Sequence, residues 1–419
     1  MTPGAETPTP VVVQKYGGTS VATGERILAI ADRIEQNLPH TPRLVVVLSA
    51  MGSTTDELVS LANQVSNRPI GREMDLLLST GEQITVSLLG LALQNRDIAA
   101  VSLTALQCGI RTDGVFNLAR IRSIDTARIC AELTAGRVVI VTGFQGINDS
   151  NDVTTLGRGG SDITGAALAA ALGAEACEIC TDVDGVFSAD PTRVPGARLW
   201  PEISYEEATE MASSGAQVLH PRASEICREY GVPIHVRSSF HLREGTWIRE
   251  SGSIMERAEV VSVTSDSKIA KITLLDVADK PGIAARVFED LARAGINIRL
   301  IIQSASSAHQ GRITFIPELE FLDGVRVLVR RWEAEGLASR GVIESDVAKI
   351  SIVGSRLAST PGLAARMFAA LAREGINIDC ISSSEMKVAC VIAGDRLDDA
   401  TRAVHREFFP EDEATAASA

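Results

Sequence analysis

The sequence predicts an α/β protein: an open, mainly parallel sheet sandwiched by helices, followed by two ferredoxin-like βαββαβ modules. Short, apolar, β-branched segments, typical of strands buried on both faces, recur in the first part of the chain. They are RLVVVLSAM, IAAVSLTA, RVVIVTGF, CEICTDV and PIHVRS. Stretches with the apolar spacing of helices lie between them, such as GERILAIADRIEQN and SDITGAALAAALGA. Ligands of such sheets bind at the carboxyl ends of strands, so we expect the functional residues there.

An internal repeat predicts the paired modules. Pro281–Ile298 and Pro361–Ile378 are identical at 13 of 18 positions, and each copy follows one strand and leads into another. The second copy lacks a final strand, which Glu259–Asp266 would supply, so that the two modules interlace. The expected divisions are a disordered tail (1–10), the α/β domain (11–250), a linker, strand and first module (251–346), the second module (347–409) and a disordered tail (410–419).

Composition excludes several classes of protein. The net charge of −13 and the pI near 5.1 argue against a nucleic-acid partner. The opening MTPGAETPTP lacks the features of a signal peptide, and no apolar run looks long enough to cross a bilayer. Cys177 and Cys180, three residues apart in a predicted strand, would point to opposite faces, which favours reduced thiols over a metal site. We therefore expect a cytoplasmic protein without membrane contact.

The segment VVVQKYGGTS places a cation and two glycines at the end of the first strand. Gly17 and Gly18 allow backbone amides to approach phosphate oxygens, and Lys15 would neutralise charge on a transferring phosphoryl group. The segment is not a P-loop, in which the lysine follows the glycines. A plain turn is the alternative.

Two further strand-to-helix connections carry polar side chains. In SAMGSTTDEL, Ser49 and Thr55 would line a strand end, and Thr54 or Thr55 would fit as the helix N-cap. In STGEQITVSLL, Glu82 lies in the first turn of an apolar helix. The helix dipole alone favours a carboxylate there, and binding of a substrate ammonium group is the functional alternative.

The segment TTLGRGGSDITGAALAAALGA is the most informative. Ser161 and Asp162 would cap an alanine-rich helix whose first amides form an anion site. Arg158 would grip a carboxylate through two parallel hydrogen bonds. A loop that merely caps a helix has little need of Arg-Gly-Gly beside it, so we predict a functional role.

Two later segments follow buried strands. TDVDGVFSADPTRV has the spacing of a calcium loop but lacks its glutamate and ligand pattern, so a nucleotide-binding turn is the better interpretation. His220 precedes Pro221 at the start of a helix, where we predict a structural imidazole bonded to the backbone.

Together these motifs resemble the aspartokinase family, which has the amino-acid kinase fold. KYGGTSVA, SAMGSTTDEL, TTLGRGGSD, TDVDGVFSADP and GAQVLHPRA stand in the family's order, and the resemblance runs from about Val11 to Phe409. The repeat resembles the family's paired ACT modules, which bind amino-acid effectors. The resemblance implies phosphorylation of the β-carboxylate of L-aspartate by ATP, the first step toward lysine, methionine and threonine. It also implies Mg²⁺ bound mostly by the phosphates, with no dedicated protein site, and a homo-oligomer formed through the ACT modules.

The resemblance also assigns residues to roles. Lys15 and Asp162 would be catalytic, with Asp162 orienting the phosphate-binding groups. The nucleotide set would be Lys15, Tyr16, Gly17, Gly18, Ser49, Thr181, Asp182, Phe187, Asp190, Arg193 and Gln217. The aspartate set would be Thr55, Glu82, Arg158, Gly159, Gly160 and Ser161. The effector set, for lysine or threonine, would be Asp279, Gly282, Asn297, Ile298, Gln303, Asn377, Ile378 and Ser384.

The sequence departs from the family pattern at several positions. Gln217 replaces a frequent lysine, Phe116 a usual histidine and Phe187 a usual tyrosine. Arg299 stands in the first ACT copy where aspartate is common, and Ala364 in the second where threonine is common. The charge reversal at Arg299 predicts weakened or altered inhibition by lysine and threonine, and an Arg299 that points to solvent is the alternative.

Two other functions remain open at this point. A sibling kinase would act on a different small carboxylate or carbamate, although the ACT pair, Glu82 and Arg158 favour aspartate. An amino-acid sensor would carry a silent kinase domain, which Lys15, Arg158 and Asp162 argue against. An internal start at Met255, giving a separate regulatory chain, is a further alternative that the sequence leaves undecided.

Overall fold

The computed structural model describes residues 10–67, 69–216, 218–250, 259–305 and 310–410. Gln217, Met255 and the two predicted tails, apart from residues 10 and 410, lie outside the described residues. The described chain divides into two units, the first comprising 10–187, 199–213 and 218–250 and the second 188–198, 214–216, 259–305 and 310–410. Segments 188–198 and 214–216 thus belong to the unit that contains the two repeats, whereas they were predicted to lie in the α/β domain.

The first unit contains strands β1 to β12 and helices α1 to α8. The strands are β1 (Val12–Tyr16), β2 (Leu44–Leu48), β3 (Ala100–Leu103), β4 (Ile110–Thr112), β5 (Ile121–Ile124), β6 (Val138–Thr142), β7 (Gln145–Ile147), β8 (Val153–Thr155), β9 (Ala176–Thr181), β10 (Glu202–Ile203), β11 (Ile234–Ser238) and β12 (Thr246–Ile248). The helices are α1 (Gly24–Asn37), α2 (Thr54–Val65), α3 (Arg72–Leu78), α4 (Thr80–Gln94), α5 (Ala127–Thr134), α6 (Gly160–Leu172), α7 (Tyr205–Ser214) and α8 (Pro221–Glu229).

An eight-stranded sheet in the order β10-β12-β11-β9-β1-β2-β6-β3 forms the centre of this unit. Its strand pairs are parallel except for β11 and β12. β2 and β6 are buried along their whole length, because both faces of a parallel sheet are covered and apolar residues are needed at every position. The predicted open, mainly parallel sheet is therefore confirmed, and β2, β3, β6, β9 and β11 are the five segments singled out from the sequence.

Side chains on β9 alternate between two helical layers. Cys180 packs with Tyr16 in the core beneath α1 and α4, whereas Cys177 faces Gly165 of α6. The two thiols thus lie on opposite faces, as predicted, and all seven cysteines are free. β1 obeys the same alternation, so Lys15 faces α6 while Tyr16 is buried on the other side.

α3 and α4 follow each other with only Ser79 between them. Together, as Arg72–Gln94, they are the one described stretch long and apolar enough to cross a membrane by length and composition. Of the apolar window, 56% is buried inside the protein, and Glu82 in its middle is also buried. These features are those of a core helix pair.

The second unit contains strands β13 to β20 and helices α9 to α12. The strands are β13 (Ser262–Asp266), β14 (Lys271–Ala278), β15 (Ile298–Ala305), β16 (Gln310–Pro317), β17 (Arg340–Glu344), β18 (Val347–Val353), β19 (Cys380–Ser383) and β20 (Lys387–Ala393). The helices are α9 (Ile283–Arg293), α10 (Leu322–Ala334), α11 (Leu363–Arg373) and α12 (Leu397–Phe408).

Each repeat forms a four-stranded antiparallel sheet with two helices. The first sheet has the order β15-β16-β14-β17 and the second β13-β18-β20-β19. β13 pairs with β18 from Ser262 opposite Val353 to Asp266 opposite Lys349. One edge strand of the second sheet, β13, therefore comes from the chain that precedes the first module.

The two modules meet through an apolar cluster whose members correspond to one another in the repeat. Ile269 corresponds to Val347, Ile316 to Val391 and Leu300 to Cys380. This correspondence indicates a contact with approximate two-fold symmetry inside one chain.

Charged residues of the two modules follow the same two-fold correspondence, with one exception. Lys271 Nζ lies 2.9 Å from Glu344 on the neighbouring strand and 2.9 Å from Asp379 of the second module. Lys349, the counterpart of Lys271, lies near Asp266, the counterpart of Glu344. The counterpart of Asp379 is Arg299, so the repeat carries opposite charges at equivalent positions.

Candidate active site

The carboxyl ends of four neighbouring strands, β9, β1, β2 and β6, carry the residues singled out from the sequence. Thr181 ends β9, Gly17 and Gly18 follow β1, and Ser49 follows β2. The Ser49 N–H donates to the Tyr16 carbonyl, and the Gly143 N–H donates to the Leu48 carbonyl. The strand ends are thereby tied together, and α6 begins beside them.

Lys15 forms an ion pair with Asp162, with 2.5 Å between Nζ and Oδ1 and both side chains 11% exposed. The other Asp162 oxygen accepts a hydrogen bond of 3.2 Å from the His220 N–H. A Cβ on Gly165 would lie 3.2 Å from the Lys15 Cβ, so glycine at this position lets α6 approach the lysine. The Lys15 ammonium is therefore held at the N-terminal end of α6.

The glycines around this pair allow a close approach of backbone segments. A Cβ on Gly17 would lie 3.3 Å from Lys15 Nζ, and one on Gly18 would lie 3.1 Å from the Ala50 carbonyl oxygen. A Cβ on Gly143, at the end of β6, would lie 2.6 Å from the Ser161 hydroxyl oxygen. The first-turn serine of α6 thus packs directly against the end of β6.

Glu82 reaches the neighbouring end of β2 from the first turn of α4. One carboxylate oxygen accepts a hydrogen bond of 3.0 Å from the Ala50 N–H, and the other is buried without a hydrogen-bond partner among the described residues. Glu82 is only 3% exposed, and burial raises the pKa of its carboxyl group to about 7. A buried oxygen of this kind is suited to a cationic hydrogen-bond donor from a ligand.

Arg158 projects from the loop that enters α6 and is exposed. Its neighbours Gly157 and Gly159 have φ values of +80° and +68°, conformations that favour glycine. A Cβ on Gly159 would also lie 2.5 Å from the His220 ring. Backbone geometry therefore favours glycine on both sides of the arginine, at 157 and 159.

Helix capping differs from the expectation at two of these loops. α2 has Ser53 as its N-cap, and Thr54 and Thr55 are its first helical residues. α6 has Gly159 as its N-cap, so Ser161 and Asp162 lie in the first turn and leave the cap without a side-chain bond. His220, by contrast, caps α8 by accepting a hydrogen bond from the Arg222 N–H, which confirms the structural imidazole.

The predicted nucleotide residues are divided between the two units. Thr181 donates to Asp182 at 3.2 Å, and Phe187 forms a β-bridge with Leu199. Asp190 and Arg193 belong instead to segment 188–198 of the second unit. There Arg193 forms an ion pair with Asp398 of α12, and Asp190 accepts hydrogen bonds from Thr192.

Tyr16, predicted to contact the nucleotide, has its side chain in the core of the sheet. Its side chain is fully buried, and its hydroxyl donates to Gln14 at 3.1 Å. Burial raises the pKa of this phenol well above its usual range. Because the Tyr16 carbonyl also accepts from Ser49, the residue serves the core of the sheet, and its ring is not available to a ligand.

Ser239, which was not predicted from the sequence, joins the ends of three strands. Its hydroxyl donates to the Thr181 carbonyl at 3.0 Å and accepts from the Ser20 hydroxyl at 2.9 Å. The pair of serines that closes PIHVRSS was the available signal, because it follows a predicted strand as the other motifs do.

Three predicted effector residues line one cavity in the first ACT module. Asp279, Gly282 and Gln303 lie in the wall of a cavity of about 340 Å³ at the turn from β14 into α9. Asn297 and Ile298 are not in that wall, and Ile298 packs against the module's core. The structure therefore brings together only part of the predicted set in this module.

The remaining effector residues lie in the second module. Asn377 donates to Asp379 at 3.3 Å, next to the Lys271 bridge. Ile378 packs against the core of this module, and Ser384 closes the turn between β19 and β20. Arg299, whose charge reversal was noted in the sequence, pairs with Glu318 at 2.7 Å and is about one third exposed (32%).

The fold and the strand-end site define a phosphotransferase class. Residues 10–238 match the Amino acid kinase family, and residues 271–336 and 350–408 match two ACT domain families. The predicted combination of an amino-acid kinase domain with paired ACT modules is confirmed.

Relatives that match nearly the whole chain identify the family within this class of phosphotransferases. An aspartokinase from Geobacillus stearothermophilus is 44% identical over 406 residues, covering 97% of this chain and 99% of the relative. The solved E. coli aspartokinase III in complex with aspartate and ADP (R-state) is 26% identical, with a TM-score of 0.79 and coverage of 95% of this chain and 100% of that chain. The same enzyme with lysine and aspartate (T-state) has a TM-score of 0.71 at 26% identity and covers 95% and 99%. The chain belongs to the aspartokinase family.

Proposed function

We propose that this protein transfers the γ-phosphoryl group of ATP to the β-carboxylate of L-aspartate, forming 4-phospho-L-aspartate and ADP. This reaction begins the route to lysine, methionine and threonine, and the enzyme carries it out in the cytoplasm. The observation that carries the proposal is the Lys15–Asp162 pair beside the buried, unpartnered oxygen of Glu82 at adjoining strand ends. The relatives named aspartokinases support the same activity.

Lys15 acts on the group in transfer. Its ammonium lies at the N-terminal end of α6, where backbone amides and the helix dipole also favour negative charge. Phosphoryl transfer depends mainly on positioning and charge neutralisation, and a fixed cation supplies both without reorganising in the transition state. Asp162 holds that cation in place.

Glu82 and Arg158 recognise the two ends of the amino acid. The unpartnered Glu82 oxygen accepts a hydrogen bond from the α-ammonium, and the Arg158 guanidinium binds a carboxylate in a bidentate manner. Thr55 and Ser161 add hydroxyl donors from the first turns of α2 and α6. The β-carboxylate is thereby directed toward Lys15.

Residues at the end of β9 serve the nucleotide. Thr181 and Asp182 bind the ribose, and the Phe187 ring packs against the base. Mg²⁺ enters with ATP and is held mostly by phosphate oxygens, as is usual for this ion. When bound, Mg²⁺ would neutralise part of the charge of the phosphates, and the protein groups would orient them.

The direct test is ADP release by the purified full-length protein with ATP, Mg²⁺ and a panel of acceptors. L-Aspartate should be the preferred acceptor, with glutamate, N-acetylglutamate and carbamate far slower. Preference for another carboxylate would replace aspartate as the substrate. A wild-type protein inactive with every acceptor, while still binding amino acids in calorimetry, would instead support a sensor.

Activity with aspartate should depend on pH through Glu82. Burial raises the pKa of this carboxyl to about 7, so it becomes neutral as the pH falls below that value and loses its attraction for the ammonium group. We expect kcat/KM for aspartate to fall about tenfold per pH unit on the acid side, because this parameter reports ionisation of the free enzyme. Glu82→Gln should have a low kcat/KM that is nearly flat from pH 5.5 to 7.5. The wild-type acid limb persisting in this variant would assign the ionisation to another group.

Lysine and threonine are the proposed effectors, and a homo-oligomer formed through the ACT modules is the proposed assembly. The E. coli relative solved with lysine supports a regulatory role for that amino acid. The cavity lined by Asp279, Gly282 and Gln303 lies at a helix N-terminus, where an amino-acid carboxylate would be favoured.

Arg299→Asp should increase inhibition by lysine about fivefold in affinity, since reversing one partly exposed charge is worth roughly 1 kcal/mol. Glu318 partly offsets the Arg299 charge in the wild type, so the effect of Arg299→Asp should be at least as large in a Glu318→Gln background. The measurement is an inhibition curve with lysine and threonine, singly and together, with Arg293→Asp as an exposed control on α9. Strong wild-type inhibition at micromolar effector that Arg299→Asp leaves unchanged would contradict a role for this charge.

A further inference from the structure

Asp75 is a carboxylate in the interior of the first unit that the reaction described above does not use. It lies in α3 and is 0% exposed. Its oxygens accept hydrogen bonds from the Thr155 N–H at 2.8 Å, the Thr155 hydroxyl at 2.8 Å and the Asn117 N–H at 2.9 Å. The Asn117 side-chain amide donates to it as well. A buried carboxylate bonded to neutral donors is costly, so a specific role for Asp75 is expected.

Asn117 completes a reciprocal contact with α3. Its φ of +67° is a left-handed conformation, which asparagine tolerates better than most residues. Its side-chain oxygen accepts a hydrogen bond of 3.0 Å from the Gly71 N–H, just before α3, while its amide nitrogen donates to Asp75. The loop that contains Asn117 is therefore fixed to α3 at two points.

The bonds of Asp75 join the two segments that carry the proposed aspartate-binding groups. Thr155 ends β8, three residues before Arg158. On the other side, α3 leads through Ser79 into α4 and Glu82. Neither partner of Asp75 is itself a predicted ligand contact.

Further hydrogen bonds hold the same two segments, the one before Arg158 and the one before Glu82. The Ala119 N–H donates to the Thr155 carbonyl, and the Arg222 guanidinium donates to the Leu156 carbonyl at 3.1 Å. The Gln145 side chain donates to the Ser79 carbonyl at 3.1 Å. The start of the Arg158 loop and the start of α4 are thus both anchored through buried polar contacts.

We propose that Asp75, together with Asn117, is a positioning residue that sets the spacing between Arg158 and Glu82 and so determines affinity for the amino-acid substrate. The inference rests on the proposed function, because it assigns those two residues to opposite ends of aspartate. Asp75 touches no reacting atom. Its effect should appear in substrate recognition rather than in phosphoryl transfer.

The chemistry of the contact explains why an amide at position 75 would not suffice. Five donor–acceptor contacts, from two groups of Asn117 and two of Thr155, converge on the two oxygens. Asparagine at 75 would present an NH₂ group to the Asn117 amide, placing two donors face to face. An aspartate at 117 would accept from that NH₂ and still accept from the Gly71 N–H.

The test compares Asp75→Asn, Asn117→Asp and the double variant in steady-state kinetics with both substrates, alongside the midpoint of thermal unfolding. We expect Asp75→Asn to raise KM for aspartate about tenfold, with KM for ATP within about twofold and a smaller loss of kcat. Asn117→Asp should be equally impaired, since it places two carboxylates together. The exchanged pair in the double variant should recover KM for aspartate to within about threefold of wild type.

Asp152→Asn is the matched control. Asp152 and Arg72 join the same two regions at the surface, with 2.6 Å between Arg72 Nε and Asp152 Oδ1, so this variant should leave both KM values unchanged. A lower thermal midpoint in Asp75→Asn with an unchanged KM for aspartate would overturn the inference in favour of a purely structural role. Equal increases in both KM values, or no recovery in the double variant, would also overturn it. Wild-type enzyme inactive on aspartate would overturn the proposed function, and this inference with it.

Discussion

Lys15→Ala is expected to lower kcat about 100-fold, because loss of a charged contact made in the transition state costs on the order of 3 kcal/mol. KM for aspartate should change by less than about threefold, since the ammonium acts on the phosphoryl group and not on the amino acid. The 2.5 Å ion pair with Asp162 fixes the ammonium before substrate arrives. Removing the ammonium should therefore lower kcat and have little effect on KM. The measurement is initial-rate kinetics at saturating ATP.

Removal of Lys15 also leaves Asp162 without its cation, so stability must be measured in parallel. Lys15→Met keeps most of the side-chain volume beside Gly165 and should show the same loss of kcat, so comparing its thermal midpoint with that of Lys15→Ala separates lost packing from lost charge. Lys268→Ala, an exposed lysine of the second unit, serves as the control. Turnover within threefold of wild type in both Lys15 variants would remove this residue from the mechanism.

Arg158→Ala is expected to raise KM for aspartate by about 100-fold and leave KM for ATP nearly unchanged. A charge-assisted bidentate bond to a carboxylate is among the stronger polar contacts, and its loss leaves the substrate carboxylate unpaired. Arg158 is exposed, and the thermal midpoint of the variant is measured alongside to separate substrate binding from stability. The test is a full kinetic matrix of both substrates, with Arg122→Ala, another exposed arginine of the same unit, as the control.

An increase confined to KM for ATP would show that the two binding sites had been assigned the wrong way round. Arg158→Lys separates charge from geometry, because lysine keeps the cation but cannot form the two parallel bonds. We expect it to recover no more than about a tenth of the loss. Full recovery would indicate that only the charge matters at this position.

Much of the fold could be predicted from residue patterns, and the exceptions have local causes. Five strands of the central sheet, β2, β3, β6, β9 and β11, lie in segments rich in apolar and β-branched residues and were found. The small mixed sheet of β4, β5, β7 and β8 was not, because three of its four strands are only three residues long. Such short segments carry too few alternating positions to be distinguished from loops.

For the site, the alternating direction of side chains along a strand could have been used to decide which residues face a ligand. Lys15 and Tyr16 are adjacent in a strand, so only one of them can face α6, and the other must enter the core. The same reasoning correctly separated Cys177 from Cys180. By contrast, the pairing of Arg193 with Asp398 joins residues more than two hundred positions apart, and no local pattern indicates it.

The strand order of the second unit bears on how the chain emerges from the ribosome. β13 is synthesised first, yet β18, the strand it pairs with, begins about 80 residues later, and the whole first module lies between them. At about 5 to 20 residues per second, β13 waits roughly 4 to 16 seconds with the backbone groups that face β18 unpaired. Folding of the first module during that interval draws the ends of the intervening chain together and lowers the entropic cost of closing the loop. The folded first ACT module therefore holds β13 close to the point where β18 will emerge. Until the first module folds, β13 remains an open edge available to a neighbouring chain.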